Sequence, residues 1–270
     1  MPLPPSGPLA ARPLPSMSRR TLFRASAAIG LAAPAHTATQ RVRPRPDSTV
    51  VFSDDFSSGN LSSWPLTGLN GNGTMGVVAG PTDAQNPAAR FTIPDDGQSY
   101  RSEVALRTFG YGQFRFRLST YLPANWTPFS AGTITAQWHG YKLVNGADTN
   151  PPIQLAVIQD YWQVRIHHLV DPTTVVSTSF DLGACAFGAW SHWDFNITWS
   201  TPDSDGLVTA SLNGTQVLSH PGPNNYHQDL APYFHLGIYR PNWNPANFPG
   251  YPTGGPDVVV YDDDIIIEQL

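Results

Sequence analysis

The sequence predicts an all-β chain folded as a two-sheet antiparallel sandwich of jelly-roll type. Three observations predict it. The 27 Pro and 23 Gly among the 270 residues follow no period and fall between short apolar runs rich in Val, Ile, Thr, Phe, Tyr and Trp, the punctuation of a chain made of short strands. From Val50 onward such runs succeed one another with no segment of helical period between them, so no crossover helices are available to build a parallel sheet. Asn213-Gly214 stands between two of the runs as a two-residue hairpin turn, which fixes antiparallel pairing at that point.

Taken in order, the first predicted strand is 50–52, a short β-branched run ending in Phe52. The apolar runs 75–79 and 88–93 follow, separated by Gly, Pro, Asp and Asn. Apolar and polar residues alternate through 100–106, 112–122 and 133–139, the period of a half-buried strand. The run 153–158 is mostly apolar, 161–168 alternates again, and 174–180 is rich in Val and Thr. Trp193, Phe195, Ile197 and Trp199 give 193–199 a period of two; 207–213 and 215–219 flank the Asn-Gly turn. The last two strands are 233–239 and 257–267. No internal repeat or mid-chain linker divides the series, so 49–270 reads as a single domain.

At 40% hydrophobic and 13% charged residues the chain can bury a sizeable core. Cys185 is the one cysteine, which excludes an intrachain disulfide and a thiolate metal cluster. The first 46 residues hold seven Arg and no acid, leaving 8 basic against 20 acidic residues, a formal −12, for the remainder. Such a domain is not built to bind nucleic acid. A polyanion would have to be met by individually placed arginines. Ser18-Arg19-Arg20-Thr21-Leu22-Phe23, the apolar run 25–33 and Ala33-Pro34-Ala35 have the form of a twin-arginine export signal over 1–35. The expectation is a secreted protein, extracellular or periplasmic, monomeric, with no membrane anchor once the signal is removed. Residues 36–48, with Arg41-Val42-Arg43-Pro44-Arg45-Pro46, read as a disordered linker.

Strand alternation says where side chains point. In 233–239, Phe234, Leu236 and Ile238 share the core face, and Tyr233, His235 and Tyr239 the other. In 133–139, Ile134, Ala136 and Trp138 point inward, and Gln137 and His139 outward. Arg101 goes with Glu103, opposite Val104 and Leu106, and Gln163, Arg165 and His167 go together. An ordinary solvent face carries Lys, Thr, Ser and Glu. These faces carry Arg, Gln, His and Tyr, groups that donate hydrogen bonds and stack, as a carbohydrate groove requires.

At these residues the sequence resembles the jelly-roll polysaccharide lyases. Arg101-Ser102-Glu103-Val104 is similar to their Arg-Thr/Ser-Glu-Leu strand, Gln137-Trp138-His139 to their Gln-x-His strand, and Tyr233-Phe234-His235-Leu236-Gly237-Ile238-Tyr239 to the Tyr-Phe-Lys-x-Gly-x-Tyr strand of the alginate lyases. Gln-Trp-His, Leu-Gly-Ile-Tyr-Arg-Pro, Ser53-Asp54-Asp55-Phe56 and Tyr261-Asp262-Asp263-Asp264-Ile265 resemble more closely the heparin lyase I and glucuronan lyase relatives. His235 stands where alginate lyases have Lys, and Val104 where they have Leu. The resemblance implies a concanavalin-like sandwich with a concave groove and β-elimination on a 4-linked uronic-acid polysaccharide, with a glucuronan-like substrate favoured.

In such a reaction the C5 proton is removed and the C4 oxygen expelled. The weak acidity of that proton is the obstacle, and donors that neutralise the neighbouring carboxylate lower it. Arg101 and Gln137 suit that task. The resemblance gives the base and acid roles to His139 and Tyr239. Where the C5 proton and C4 oxygen lie on one side, as in glucuronan, Tyr239 serves as both; in the opposite arrangement His139 takes the proton and Tyr239 gives one. The sequence leaves both open. Glu103, Arg165, His167, Tyr233, His235 and Arg240 are further candidates for contact with the sugar. Arg240 faces away by strict alternation but opens a Pro-rich loop, and Trp126, Trp243 and Tyr251 occupy loops fit to wall a groove.

Two other readings compete. A non-catalytic carbohydrate-binding module on the same fold would use the same donors and aromatics, but needs no base and acid together. A glycoside hydrolase needs two carboxyl groups at the scissile bond, and the chain has only two Glu, Glu103 and Glu268. No cofactor is required by any of these. Asp54, Asp55 and the 262–264 run would meet if the first and last strands pair, and their oxygens would suit a structural Ca²⁺; a solvated strand end is the plainer reading. His167 and His168 point to opposite faces and form no metal site.

Overall fold

The computed structural model describes residues 48–251 and 253–270. The expected export signal and almost all of the expected linker lie outside the described residues. Fifteen strands follow in order: β1 (Thr49–Asp54), β2 (Leu66–Asn70), β3 (Thr74–Ala79), β4 (Pro87–Ile93), β5 (Arg101–Ala105), β6 (Gln113–Leu122), β7 (Thr133–His139), β8 (Ile153–Ile158), β9 (Tyr161–Asp171), β10 (Thr174–Ala184), β11 (Ala189–Thr198), β12 (Leu207–Leu212), β13 (Thr215–Pro221), β14 (Tyr233–Tyr239) and β15 (Val258–Gln269). A single 3₁₀ turn, Pro241–Trp243, follows β14.

All pairings are antiparallel, in two sheets. One runs β13-β12-β11-β6-β15-β4-β3, with β1 beside β15, and the other β10-β9-β8-β7-β14-β5-β2. Asn213 (φ 50) and Gly214 (φ 80) form the expected turn between β12 and β13, both in the left-handed region that this hairpin requires. The fold is the two-sheet antiparallel sandwich expected from the strand pattern.

The core lies between the sheets. Trp138 on β7 meets Phe116 of β6 edge-on at 5.2 Å, Phe195 of β11 at 5.1 Å and Phe234 of β14 at 5.3 Å. Trp162 of β9 meets Trp193 of β11 at 5.2 Å. These rings interlock one sheet with the other, and each buried aromatic contributes roughly 1.5–3 kcal/mol by leaving water. Trp138→Ala, which would open a cavity where both sheets meet, would cost about 3–5 kcal/mol.

Two local features depart from strict alternation. Strand β2 was not expected: Leu-Thr-Gly-Leu-Asn has a weak strand composition, and it forms as an edge strand on β5. Ile134 was expected inward with Ala136 and Trp138. A bulge between Ile134 and Ala136 inserts one residue and reverses the faces beyond it. Ala136 pairs with Leu155 of the core, whereas Ile134 pairs with Ala156 and with Tyr239, which places it on the polar face, and Thr133 turns inward.

Candidate active site

Strand β14 runs through the middle of the second sheet, between β5 and β7. Its register sets Tyr239 opposite Arg101, Gly237 opposite Glu103, His235 opposite Gln137 and Tyr233 opposite His139. Directly opposed residues share a face, with Cβ atoms about 4.5–5.5 Å apart. An arginine, a glutamate, a glutamine, two histidines and two tyrosines from three segments distant in sequence therefore gather on one patch of the sheet. The other side of β14, Phe234, Leu236 and Ile238, is fully in the core.

Glu103 anchors the patch. It is buried, its Oε1 accepts a hydrogen bond from Gln137 Nε2 at 2.5 Å, and its Oε2 lies 3.3 Å from Arg101 Nε and 3.4 Å from His235 Nδ1. Held there, the Arg101 guanidinium carbon sits 4.2 Å from the centre of the Tyr239 ring, while 27% of the Arg101 side chain remains exposed. Gly68 of β2 makes room for this posture: a Cβ on it would stand 3.1 Å from Arg101 Cδ. Sequence reasoning missed Gly68 because it missed the strand.

The imidazoles differ in their bonding. His139 Nδ1 donates to the Gly140 carbonyl at 2.6 Å; a carbonyl can only accept, so the lone pair is on Nε2. Burial holds the His139 pKa below the ordinary histidine value, helped by repulsion from His235 and Arg101 and opposed by the Gly140 bond and Glu103. His139 is thus a neutral base at neutral pH. Its ring lies 5.8 Å from His235 and 5.6 Å from Tyr233, and Tyr233 is 4.9 Å from His235 and 5.3 Å from Tyr141. Burial raises the Tyr233 and Tyr141 pKa values, so both phenols stay protonated. Tyr141, just beyond β7, is a further site residue that the sequence did not single out.

Several expectations about roles need correcting. Gln137 was expected to donate to a sugar carboxylate, but it is fully buried with its amide committed to Glu103; alternation gave its face and not its depth. Glu103, expected to contact the sugar, is likewise beneath the surface, where it holds Arg101. Arg165 shares the polar face, since it pairs with Gln154, which pairs with Gln137. It lies two strands from β7, roughly 10 Å away, and its Nε donates to Gln163. His167 is buried, with Nδ1 donating to the Pro151 carbonyl at 2.7 Å and its pKa lowered by burial. Arg240 does not turn back to the polar face. It is buried on the other side of the sheet among Phe129, Trp243 and Trp126, so those loop aromatics enclose an arginine and do not wall the polar face.

Two of the carboxylates named above are engaged away from the patch. Glu268 is fully buried in the first sheet beside Arg115 and Arg117. Strands β1 and β15 do pair, yet the Asp54 carboxylate accepts from Ser63, Trp64 and the Phe56 amide. Among the described residues no three His, Cys, Asp or Glu side chains converge in a way fit to hold a metal ion. Glu103 and Glu268 lie on different sheets, so these two do not form the carboxyl pair that flanks the scissile bond in glycoside hydrolysis.

A family model described as polysaccharide lyase matches residues 56–265. No curated protein sequence matches the chain. Among solved structures, an endo-β-1,4-glucuronan lyase from the fungus Trichoderma reesei superposes with a TM-score of 0.70 at 18% identity, covering 82% of this chain and 96% of that one. The cellulose-induced protein Cip1 gives 0.53 at 14% identity, over 80% and 96%. At these identities the likeness shows a shared fold.

Proposed function

The chain belongs to the polysaccharide lyases, and from that premise we propose that it cleaves a 4-linked uronic-acid polymer of glucuronan type by β-elimination. The observation that carries this reading is the Arg101 guanidinium, fixed by Glu103 and centred 4.2 Å from the Tyr239 ring. With Nε turned to Glu103, the rest of the fork is free for the sugar carboxylate, whose charge grows as the C5 proton leaves.

Tyr239, as phenolate, takes the C5 proton. The electrons left on C5 delocalise into the carboxylate, then form the C4–C5 double bond as the C4–O bond breaks. The phenol returns its proton to the departing oxygen on the same side of the ring. His139, neutral with its Nε2 lone pair free, serves as proton acceptor for sugars of opposite configuration. The proposed steps use side chains alone. The partner is the anionic polymer itself, and the reading includes export of a monomer through the twin-arginine pathway. The similarity in fold to a glucuronan lyase supports the choice of substrate.

The test is a panel of glucuronan, alginate, polygalacturonate and heparin, scored for the ultraviolet absorbance of an unsaturated uronate and for product masses. Unsaturated oligomers from glucuronan are expected. Products that carry water in place of a double bond, or no products from any uronic polymer, would overturn the proposal.

A further inference from the structure

Beyond β7 the chain carries Gly140 and Tyr141 past the end of the polar patch, and one side chain from the loop between β13 and β14 is bonded to the backbone there. Gln228 Oε1 accepts from the Tyr141 amide at 2.7 Å, and Gln228 Nε2 donates to the Tyr141 carbonyl at 2.7 Å and to the Lys142 carbonyl at 2.9 Å. A carboxamide has one acceptor oxygen and two N–H hydrogens, and here all three meet backbone. An ionised glutamate could accept but has no hydrogen for the two carbonyls.

Gln228 is itself held. Its carbonyl accepts from Tyr111 Oη at 2.6 Å. Just before it, Asn224 and Asn225 are fully buried and bonded to Ser200, and Asn225 Oδ1 accepts from the His227 amide at 2.7 Å. On the other side residues 144–148 are exposed, so the support for Tyr141 comes from Gln228.

The Tyr141 N–H and the Gly140 carbonyl belong to one peptide unit, planar and trans. Fixing the N–H therefore fixes the carbonyl, and that carbonyl takes the Nδ1–H of His139 at 2.6 Å. The bonds form a chain from the imidazole through the peptide to the carboxamide. Linked hydrogen bonds polarise one another, so a peptide with its N–H engaged offers His139 a stronger acceptor. The close approach needs a glycine: a Cβ on Gly140 would stand 3.0 Å from both Gln228 Oε1 and Tyr226 Cδ2.

We propose that Gln228 is a positioning residue of the active site: acting through the Gly140–Tyr141 peptide, it keeps the proton of neutral His139 on Nδ1 and the lone pair on Nε2. A histidine's tautomer is set by the bond its other nitrogen makes, and here that bond is governed from one peptide further away. The same clamp holds the Tyr141 ring 5.3 Å from Tyr233. The chain of bonds stands on its geometry; its service to catalysis rests on the reading of the patch as an elimination centre in which His139 accepts a proton.

The test is nitrogen NMR of histidine-labelled protein at a pH above the ordinary histidine value, with the His139 signals assigned by their loss in His139→Gln. It is run on wild type, Gln228→Met, Gln228→Asn and Tyr226→Phe. Gln228→Met keeps the length and deletes the amide. Gln228→Asn keeps the amide and draws it back by one methylene, so it carries the test if the first variant fails to fold. Tyr226→Phe removes the bond from its hydroxyl to the Asn150 carbonyl, which loosens the same loop while the Tyr141 peptide stays bonded. In wild type the lone pair is expected on Nε2. In the Gln228 variants the ratio of that tautomer to the other should fall by roughly 2-fold to 10-fold, the worth of one hydrogen bond, and in Tyr226→Phe it should hold. A ratio unmoved in the Gln228 variants, or moved as far in Tyr226→Phe, would overturn the assignment. The expected shift in a protein that cleaves no uronic polymer would support the chain of bonds while the elimination reading fell.

Discussion

Glu103 Oε2 lies 3.3 Å from Arg101 Nε, and this buried carboxylate fixes where the one arginine of the polar patch can point. Glu103→Gln keeps the shape and removes the charge. Arg101 then loses its anchor, and the Gln137 and His235 contacts lose their anionic partner. The expected result is a stability loss of about 1–3 kcal/mol in urea unfolding with a fall in kcat larger than any rise in KM, because the arginine acts where charge develops. Unchanged kcat with intact folding would remove Glu103 as the positioning residue.

Tyr239→Phe deletes one oxygen from a half-buried ring and leaves its packing against Tyr100 and Arg101 in place. The unfolding midpoint should stay within about 0.5 kcal/mol of wild type. Formation of unsaturated product should fall by roughly 100-fold to 10,000-fold. Near-normal turnover would take Tyr239 out of the reaction.

Gly237 sits in β14 with φ 129, where a Cβ would stand 2.4 Å from the Ser102 carbonyl oxygen and 2.8 Å from Phe91 Cδ1. This glycine occupies the bulge between Leu236 and Tyr239 that brings Tyr239 opposite Ile134. Gly237→Ala combines backbone strain with overpacking, so a loss of about 3 kcal/mol or more is expected. Activity should fall further than the folded fraction alone accounts for. A variant as stable and active as wild type would show that the bulge does not aim the phenol.

His139 gives a pH dependence with a definite sign. Its pKa lies below the ordinary value near 6.5 because burial disfavours the cation. As pH falls through that ordinary value, the unfolded chain binds a proton before the folded one does, so this residue withdraws stability on acidification. Protonation also removes the Nε2 lone pair and sets another cation beside Arg101. With a sugar of the opposite configuration, for which His139 is the proton acceptor, the acid limb of kcat/KM should therefore have its midpoint below 6.5. His139→Gln should remove its share of the acid-side loss of stability. An acid limb above the ordinary histidine value would contradict the assignment.

The faces of this sheet were legible because a period of two is written directly in the residues: Phe234, Leu236 and Ile238 against Tyr233, His235 and Tyr239. What was not legible were depth and interruptions of the period. Gln137 was placed on the right face, but nothing in its sequence neighbourhood says that Glu103 lies over β14 to claim its amide. Ile134 was misplaced because Thr-Ile-Thr-Ala alternates whether or not a residue bulges out. Strand β2 escaped because an edge strand leaning on β5 needs little strand propensity of its own. Its Gly68 leaves the room in which Arg101 lies.

The last prediction concerns the far sheet, where the register of β15 on β6 shifts between Asp263 and Ile266. Asp263 is buried, and its pKa is raised to about 7 by that burial, with further repulsion from Asp264 and Asp55 outweighing hydrogen bonds from the Asp264 amide and Asn86. Neighbouring Asp262 is fully buried and raised too, and Thr120 donates to it. A carboxyl whose folded pKa exceeds its unfolded value near 4 keeps a proton that the unfolded chain has lost, so its contribution to stability drains away as pH climbs from about 4 to about 7. Asp263→Asn stays neutral throughout. Its Oδ1 still accepts from the Asp264 amide, and Asn86 can turn its own amide to offer an oxygen to the new NH₂. The histidines titrate alike in both proteins, so subtracting one stability profile from the other isolates the aspartate. Urea midpoints taken across this window should show the variant gaining steadily on wild type as pH rises. A constant difference would mean that Asp263 ionises in the folded protein as it does in water.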